Sequence, residues 1–296
     1  MATFKSGFAT VVGRPNVGKS TLINYMVGEK ILIMSDKPQT TRNKIKAVVT
    51  DEESQIVFID TPGIHKAKNK LGNFMASEIN EAMGEMDVLI FMTDEKNKLG
   101  PGDKYIIEQI QDFKMPKIAL VNKSDIYKDN LSVEAEITEM DIFDKVLRIS
   151  ATGGMNVQEV VAFIKNNIEE GPQYFPEDYI TDRPEWFVIS ELIREKALQF
   201  LQDEIPHGVG VLIEKIEQRE NKDMMDVFAV IMCEKKSHKG MIIGKEGSKL
   251  REIGESARMD IERLLGTKVY LKLWVKISKN WRDDERILRE LGYKSW

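Results

Sequence analysis

The feature that most constrains this chain is GRPNVGKS at residues 13–20, which fits the pattern G-x-x-x-x-G-K-[ST] in full. It follows an apolar, β-branched run, GFATVVG, and leads directly into a helical stretch, STLINYM. In that setting the glycines let backbone amides approach phosphate oxygens, the lysine reaches the β and γ oxygens, and the hydroxyl ligates Mg²⁺. The sequence therefore predicts a phosphate-binding loop. Its residues are Gly13, Arg14, Pro15, Asn16, Val17, Gly18, Lys19, Ser20 and Thr21.

Strand and helix alternate through the first half of the chain. Five more apolar runs follow the first, and each precedes a polar or helical stretch: IKAVVT, SQIVFID, MDVLIFMTD, KIALVNKSD and KVLRISA. This alternation predicts an α/β domain with a mostly parallel sheet, helices on both faces and a ligand site at the carboxyl ends of the strands.

The chain length of 296 residues predicts two domains, each large enough to bury its own core. The stretch EEGPQYFPEDYITDRPEW breaks the alternation with three prolines and many acids, which indicates a linker. We expect a first domain at 1–170, a linker at 171–185 and a second domain at 186–296.

The motif NKSD, which follows another strand, predicts the base that is bound. A carboxylate only accepts hydrogen bonds, so Asp125 can take both the ring N–H and the exocyclic amine of guanine, whereas adenine offers no such pair. Lys123 can lie over the base, and Asn122 can brace the phosphate loop. Downstream, ISA supplies backbone amides at Ser150 and Ala151 for the guanine carbonyl oxygen. Guanine is therefore the predicted base.

Two loops predict a response to the γ-phosphate. In DTPG, Asp60 would hold Mg²⁺ through water, and the Gly63 amide would meet the γ-phosphate only while it is present. In QTTR, Thr41 is the threonine that we expect to close over the ion. The loop residues after Asp60 are Thr61, Pro62 and Gly63, and the predicted magnesium ligands are Ser20, Thr41 and Asp60.

Hydrolysis must work without the usual glutamine, because Ile64 follows Gly63 and its side chain cannot hydrogen-bond a water molecule. Asn16 is a candidate for fixing a monovalent cation such as K⁺ between the phosphates, where the ion would supply the charge that an arginine finger gives elsewhere. We assign no catalytic role to His65, since a lone loop histidine is more often just solvated. The predicted catalytic residues are Lys19, Thr41, Gly63 and Asn16. Over roughly residues 5–168 these motifs resemble the translation-factor-related GTPases that replace the catalytic glutamine with a hydrophobic residue.

Composition predicts a cytosolic protein. Cys233 is the single cysteine, so no intramolecular disulfide can form, and no apolar run approaches the roughly 20 residues of a membrane span. The net charge is −5, yet residues 232–296 carry 16 Lys and Arg against 10 Asp and Glu. This asymmetry fits either a polyanion partner for the final segment or charged helices that solvate themselves.

The second half has the order helix, strand, strand, helix, helix, strand, and VYLKLWVKI alternates as a strand with one buried face does. With G-x-x-G joining the middle helices, it resembles the bacterial-type KH domain. The resemblance implies that unpaired RNA crosses a groove beside the loop, with phosphate contacts from the basic residues and apolar surface from Ile242, Ile243 and Ile253. The loop is Gly244, Lys245, Glu246 and Gly247, and the other basic residues are Lys249 and Arg251. The alternative is a tight turn without RNA, and Glu246 would repel phosphate.

A GTPase domain followed by one KH domain resembles the Era family of bacterial ribosome-assembly GTPases, from GRPNVGKS to KNWRDDERILRELGY. The resemblance implies a monomeric GTP-hydrolysing switch that uses Mg²⁺ and binds the 3′ end of 16S ribosomal RNA in small (30S) subunit maturation. It also implies some peripheral association with the inner membrane. Two alternatives remain open: a related GTPase directed at tRNA modification or the large subunit, and a GTP-dependent scaffold that binds protein or membrane.

Overall fold

The computed structural model describes residues 4–35, 37, 40, 42–43, 45–60, 86–94, 98–127, 131–202, 205–220 and 222–293. Four predicted site residues lie outside these ranges: Thr41, Thr61, Pro62 and Gly63. The chain forms two compact units. Among the described residues, and less the gaps, the first unit comprises 4–32 and 42–182, and the second comprises 33–40 and 183–293.

A six-stranded sheet organises the first unit, in the order β2-β3-β1-β4-β5-β6. Only β2 runs antiparallel to its neighbour β3; the other pairs are parallel. Strands β3, β4 and β5 are buried at every residue, as strands are when both faces of a sheet are covered. The predicted mostly parallel α/β architecture is confirmed. The strands are β1 (Lys5–Gly13), β2 (Ile45–Thr50), β3 (Ser54–Asp60), β4 (Val88–Thr93), β5 (Lys117–Val121) and β6 (Lys145–Arg148).

The strand order brings three motifs, and a further aspartate that no motif marks, to one edge of this sheet. Gly13 ends β1, Asp60 ends β3, and Asp94 and Asn122 directly follow β4 and β5. Because β3, β1, β4 and β5 are consecutive and parallel, their carboxyl ends form a single rim. The described helices of this unit are α1 (Lys19–Val27), α2 (Pro101–Ile110), α3 (Leu131–Glu139) and α4 (Val157–Asn167).

Residues 171–182, which the sequence predicts to be linker, are bound to the sheet of the first unit. The buried carboxamide of Gln55 accepts from the backbone N–H groups of Tyr174 and Phe175 at 2.8 and 2.9 Å. It also donates to the carbonyl of Phe175 at 2.9 Å. Farther along, the N–H of Asp182 donates to the Lys46 carbonyl of β2 at 3.2 Å. Prolines mark the end of the strand–helix alternation here, but the backbone of this segment still hydrogen-bonds to residues of the first unit.

The second unit is an α+β fold around a three-stranded sheet, β7-β8-β9. Strand β8 pairs antiparallel with β7 and parallel with β9. The described element order from residue 185 onward is α5 (Glu185–Phe200), β7 (Gly210–Gln218), β8 (Met224–Cys233), α6 (Lys236–Ile243), α7 (Ser248–Leu265) and β9 (Lys268–Ile277). This is the predicted KH order. In β9, Val269 and Val275 are buried, which agrees with the alternation in the sequence.

A short carboxyl-terminal segment closes the second unit. Trp281 is fully buried, and its indole N–H donates to the carbonyl of Gly208 at 2.9 Å. The following helix, α8 (Glu285–Glu290), is capped by the carboxylate of Asp284, which accepts from the backbone N–H groups of Arg286 and Ile287. An aspartate that caps the first turn stabilises so short a helix.

Charged side chains are buried on α5. Arg194 is fully buried, pairs with Glu191, and donates to the carbonyl of Thr40. The Glu195 carboxylate accepts from the backbone N–H of Met34 at 2.8 Å. Met34 and Thr40 lie in the part of the second unit that precedes α5 in the chain, and both hydrogen-bond through their backbone to these buried charges. Nothing in the helical periodicity predicts this arrangement.

None of the helices in the described part of the chain is both long enough and apolar enough to cross a membrane.

Candidate functional site

The phosphate loop joins β1 to α1 and depends on two glycines. A Cβ on Gly13 would lie 2.3 Å from the Met92 carbonyl oxygen. Gly18 has a φ of 107°, and a Cβ there would lie 2.3 Å from the amide nitrogen of Asn122. The Met92 backbone therefore requires glycine at position 13, and the Asn122 side chain together with the positive φ requires it at position 18. Asn16 also adopts a left-handed conformation, with φ of 68°. Of the other loop residues, Pro15 and Asn16 are exposed, Val17 is buried and Thr21 is half-buried.

Lys19 points its ammonium group at the carbonyls of its own loop. Nζ donates to the oxygens of Gly13 and Arg14 at 3.0 and 2.9 Å. Burial lowers its pKa from 10.5 to about 8, and the nearby Asp60 carboxylate partly opposes that change. A buried ammonium whose charge is destabilised gains most from an anionic ligand, so the loop is suited to phosphate.

Ser20 and Asp60, two of the three predicted magnesium ligands, lie in contact. The Ser20 hydroxyl donates to Oδ2 of Asp60 at 2.9 Å, and Asp60 is fully buried. Mg²⁺ prefers one or two protein oxygen ligands together with phosphate oxygens and water, so this pair fits the ion. The third predicted ligand, Thr41, is outside the described residues. In the described part of the chain, no group of three or more His, Cys, Asp or Glu residues is arranged to hold a metal.

The predicted brace between the base motif and the phosphate loop is present. The Asn122 amide donates to the carbonyl of Val17 at 2.8 Å, and its Oδ1 accepts from the N–H of Ala151 at 2.9 Å. The N–H of Ser150 donates to the Met155 carbonyl at 3.2 Å. The two backbone amides predicted for the guanine oxygen are thus bonded within the protein, and that role stays a prediction. Asp125 is exposed.

Arg14 contacts carboxylates through its side chain. Its guanidinium donates to Asp94 at 2.9 Å and to Asp103 at 2.7 Å. A phosphate contact from Arg14 would therefore come from its backbone N–H. Lys123 also pairs with Asp94, at 2.5 Å. Neither carboxylate was among the residues selected from the sequence, because no motif marks them.

In the second unit, the G-x-x-G loop lies beside a groove of about 330 Å³ that follows α7 and β9. Gly244 and Gly247 have φ of 73° and 77°, and Glu246 also adopts positive φ, 53°. Lys245 and Glu246 are exposed. The groove is lined by Gly247, Leu250, Arg251, Gly254, Glu255, Arg258, Leu271, Lys272 and Leu273.

Two apolar residues predicted to face the bases are placed elsewhere. Ile242 and Ile253 are fully buried in the core of the second unit, so the prediction that they offer surface to a ligand is wrong. Ile243 is half-buried and packs against the same core. Helical periodicity near the loop identifies apolar residues, but it does not separate a core face from a groove face.

Leu250, Leu271 and Leu273 supply the apolar lining instead. Gly254 adds no side chain to the groove, and a Cβ there would lie in van der Waals contact with the Leu273 side chain, at 3.4 Å. The cations of the groove are Arg251, Arg258 and Lys272, of which only Arg251 was predicted. The alternation of apolar and polar side chains in β9 is the sequence signal that could have predicted that Leu271 and Leu273 face α7. Lys249, by contrast, pairs with Glu252 at 2.8 Å and lies over the Phe200 ring.

The chain is similar over almost its whole length to proteins named GTPase Era. It is 52% identical to that of Alkaliphilus metalliredigens over 296 residues, covering 99% of this chain and all of the relative. It is 56% identical to that of Clostridioides difficile, covering 98% of this chain and 99% of the relative. A solved variant of Aquifex aeolicus Era bound to GDP·AlF4⁻ matches with a TM-score of 0.93 at 37% identity, covering 99% of this chain and all of that one.

A second solved structure, Era in complex with MgGDPNP and nucleotides 1506–1542 of 16S ribosomal RNA, matches with a TM-score of 0.92 at 37% identity. That match also covers 99% of this chain and 100% of the other.

Fold and site together define a phosphate-loop GTPase that carries a KH domain. Family models agree, since residues 8–123 match a 50S ribosome-binding GTPase model and residues 204–282 match a KH domain model. The chain belongs to the Era family of GTPases, enzymes that hydrolyse GTP.

Proposed function

We propose that this protein is a GTP-controlled switch that binds the 3′ end of 16S ribosomal RNA and acts in the assembly of the small (30S) subunit. The observation that carries the proposal is the match, over 99% of this chain, to an Era structure that holds nucleotides 1506–1542 of that RNA. The groove between α7 and β9 supplies the chemistry that such a ligand needs.

Single-stranded RNA offers phosphates and exposed bases, and the groove has partners for both. Arg251, Arg258 and Lys272 provide three cations along its walls. Leu250, Leu271 and Leu273 line the same groove, and the two glycines of the G-x-x-G loop would let an RNA backbone approach closely. Phosphate contacts position a nucleic acid, whereas contacts to base edges select its sequence.

The rim of the first sheet supplies the nucleotide site. Lys19 and the loop amides would hold the phosphates of GTP or GDP, and Asp125, Lys123 and Asn122 would hold guanine, with Ser150 and Ala151 beside it. Mg²⁺ would lie between Ser20 and Asp60, where it neutralises phosphate charge. Thr41 and the Thr61–Pro62–Gly63 loop would respond to the γ-phosphate.

Hydrolysis of GTP would depend on stabilisation of the negative charge that develops on the phosphates. Lys19 is placed to stabilise negative charge that develops on the phosphates. Asn16, in its exposed left-handed turn, would help to hold K⁺ beside them. A test is the rate of GTP hydrolysis in K⁺ and in Na⁺ at equal ionic strength. Asn16→Ala should remove the difference between the two ions, and a variant that keeps it would exclude Asn16 from this role.

We also propose the oligomeric state of the switch, its location and the coupling between its two ligands. The protein would act as a monomer in the cytoplasm, with a peripheral association with the inner membrane. GTP and RNA would favour the same state of the switch, because a coupling free energy between two ligands is reciprocal.

For the domain boundary we propose a division near residue 183 rather than at 170.

The experiment that tests the function is a titration of the full chain with a labelled RNA that matches the 3′ end of 16S ribosomal RNA. It is run with a non-hydrolysable GTP analogue and again with GDP. Tighter binding with the analogue is the expected result. Equal binding in the two states would overturn the switch, and no binding in either state would overturn the RNA function.

A matched pair of variants assigns the binding to the groove. Arg258 lines the groove, whereas Arg263 lies on the same helix with an exposed side chain and does not line it. Arg258→Ala should weaken RNA binding by about tenfold, the scale of a lost contact between a charged group and phosphate, and Arg263→Ala should not. Equal losses of RNA affinity in the two variants would indicate nonspecific electrostatic attraction rather than binding in the groove. Copurification of transfer RNA or large-subunit RNA in place of 16S would favour a related RNA-directed GTPase.

A further inference from the structure

One carboxylate joins the two halves of the nucleotide site. Asp94 lies directly after β4, and its side chain is 19% exposed. Oδ1 accepts from Nη2 of Arg14, in the phosphate loop, at 2.9 Å. Oδ2 accepts from Nζ of Lys123, in the base motif, at 2.5 Å. Each oxygen of Asp94 therefore holds a cation from a different motif.

The Arg14 side chain lies in a site that is shaped to hold it. Its Nε donates at 2.7 Å to Oδ2 of Asp103, which is fully buried in the first turn of α2. Gly102 packs against the arginine, because a Cβ there would lie 2.8 Å from Cδ of Arg14. With two carboxylates on one guanidinium, Arg14 holds the start of the phosphate loop to β4 and α2.

We propose that Asp94 is a positioning residue for nucleotide binding, which holds Lys123 ready for the base and Arg14 in place beneath the phosphates. A lysine side chain has many rotamers, and one that is already held before the ligand arrives loses less entropy on binding. A carboxylate near a phosphate site would by itself repel the ligand. Here the two cations that it contacts offset its charge.

The proposal predicts a specific kinetic signature. Lys123 serves the base, which GDP and GTP share, so loss of Asp94 should affect the two nucleotides alike. Because Asp94 would also hold Lys123 against the base in the bound complex, its loss weakens that contact, and a weakened contact acts mainly on the dissociation rate. We therefore expect Asp94→Ala to release both nucleotides about tenfold faster, a change in rate on the scale of one charged hydrogen bond.

The test is a double-mutant cycle on the full-length chain, with stopped-flow release of fluorescent GDP and GTP analogues. The variants are Asp94→Ala, Lys123→Ala and the double change. If Asp94 acts through Lys123, its replacement should have little further effect once the lysine is gone. Asp94→Asn keeps an acceptor oxygen without the charge, so its release rate should be intermediate.

Three outcomes would overturn the proposal. One is wild-type release from Asp94→Ala. Another is a double variant whose release rate rises by the product of the two single-variant increases. The third is acceleration by Asp112→Ala, an exposed carboxylate of the same unit. Melting temperatures of the nucleotide-free variants are measured alongside, and Asp94→Asn carries the comparison should the alanine variant unfold.

Discussion

The Ser20 hydroxyl donates a hydrogen bond to the Asp60 carboxylate at 2.9 Å, which joins the phosphate loop to the end of β3. The carboxylate is fully buried at the rim of the sheet, and the hydroxyl belongs to the first turn of the helix that follows the loop. Two of the predicted magnesium ligands, from different motifs, thus lie in contact. Such a pair needs little rearrangement to hold a small, hard cation.

Loss of either oxygen should raise the magnesium requirement. We expect Ser20→Ala to need about tenfold more Mg²⁺ for half-maximal GTP hydrolysis, since one of the predicted oxygen ligands is lost. The measurement is the hydrolysis rate across a Mg²⁺ titration. Ser237→Ala, at an exposed position of α6, is the control and should match the parent chain. An unchanged midpoint for Ser20→Ala would remove Ser20 from the ion site.

Lys19 should make the nucleotide-free protein less stable at neutral pH. Its pKa falls from 10.5 in the unfolded chain to about 8 in the folded state, chiefly through burial. Below pH 8 the folded protein carries the full cost of that charge, and the cost disappears as pH rises from about 8 to 10.5. Lys19→Met should therefore raise the free energy of unfolding at pH 7 by about 1–2 kcal/mol, after the loss of two hydrogen bonds to loop carbonyls.

The gain from Lys19→Met should shrink toward pH 10.5, and tight GTP binding should be lost at every pH. Urea unfolding at several pH values tests the first part, and a nucleotide titration tests the second. A gain that grew with pH would contradict the assigned direction of the pKa change.

Asp125 should set the choice of base. Asp125→Asn replaces one acceptor oxygen by a donor, which suits the carbonyl that xanthine has in place of the guanine amine. We expect the preference to shift from GTP toward XTP, as measured by competition between the two nucleotides. Retained preference for GTP would place guanine recognition elsewhere.

Gly254 should control the width of the RNA groove. A methyl group at this position would only touch Leu273, at 3.4 Å, whereas the larger side chain of valine would fill space between α7 and β9. We expect Gly254→Val to reduce RNA affinity by about tenfold and to leave GTP affinity unchanged. Gly254→Ala is the matched control: it should stabilise α7 by roughly 0.5–1 kcal/mol, with a smaller loss of RNA binding. Equal RNA affinity for parent and valine variant would place the RNA outside this groove.

Replacement of Arg194 should be among the most destabilising substitutions in the second unit. Arg194→Met leaves the Glu191 carboxylate buried without its cation, and loss of one partner of a buried pair costs about 3–5 kcal/mol. Urea unfolding measures the change. Adding Glu191→Leu should recover much of it, because the double variant buries no unpaired charge at that position. A double variant no more stable than the single one would contradict this account.

Motifs with fixed spacing were predictable from the sequence, and long-range contacts were not. Lys19, Ser20 and Asn122 occupy the loop and rim that their motifs imply, because each motif encodes a local backbone shape after a strand. Asp94 could not be predicted, since its role depends on two residues that are 80 and 29 positions away. Ile242 and Ile253 were misplaced because an apolar residue on a helix beside a groove can face either the groove or the core.

The hydrogen bonds of Gln55 fix where the first unit can be cut. Its carboxamide serves three backbone groups of residues 174 and 175, and Gln55 is fully buried. A fragment that stopped at residue 170 would remove these three hydrogen bonds and leave the carboxamide donating to the Thr50 hydroxyl, so its oxygen would lose both backbone donors. Truncations for biophysical work should therefore keep the chain through residue 182, although prolines before that point suggest an earlier end.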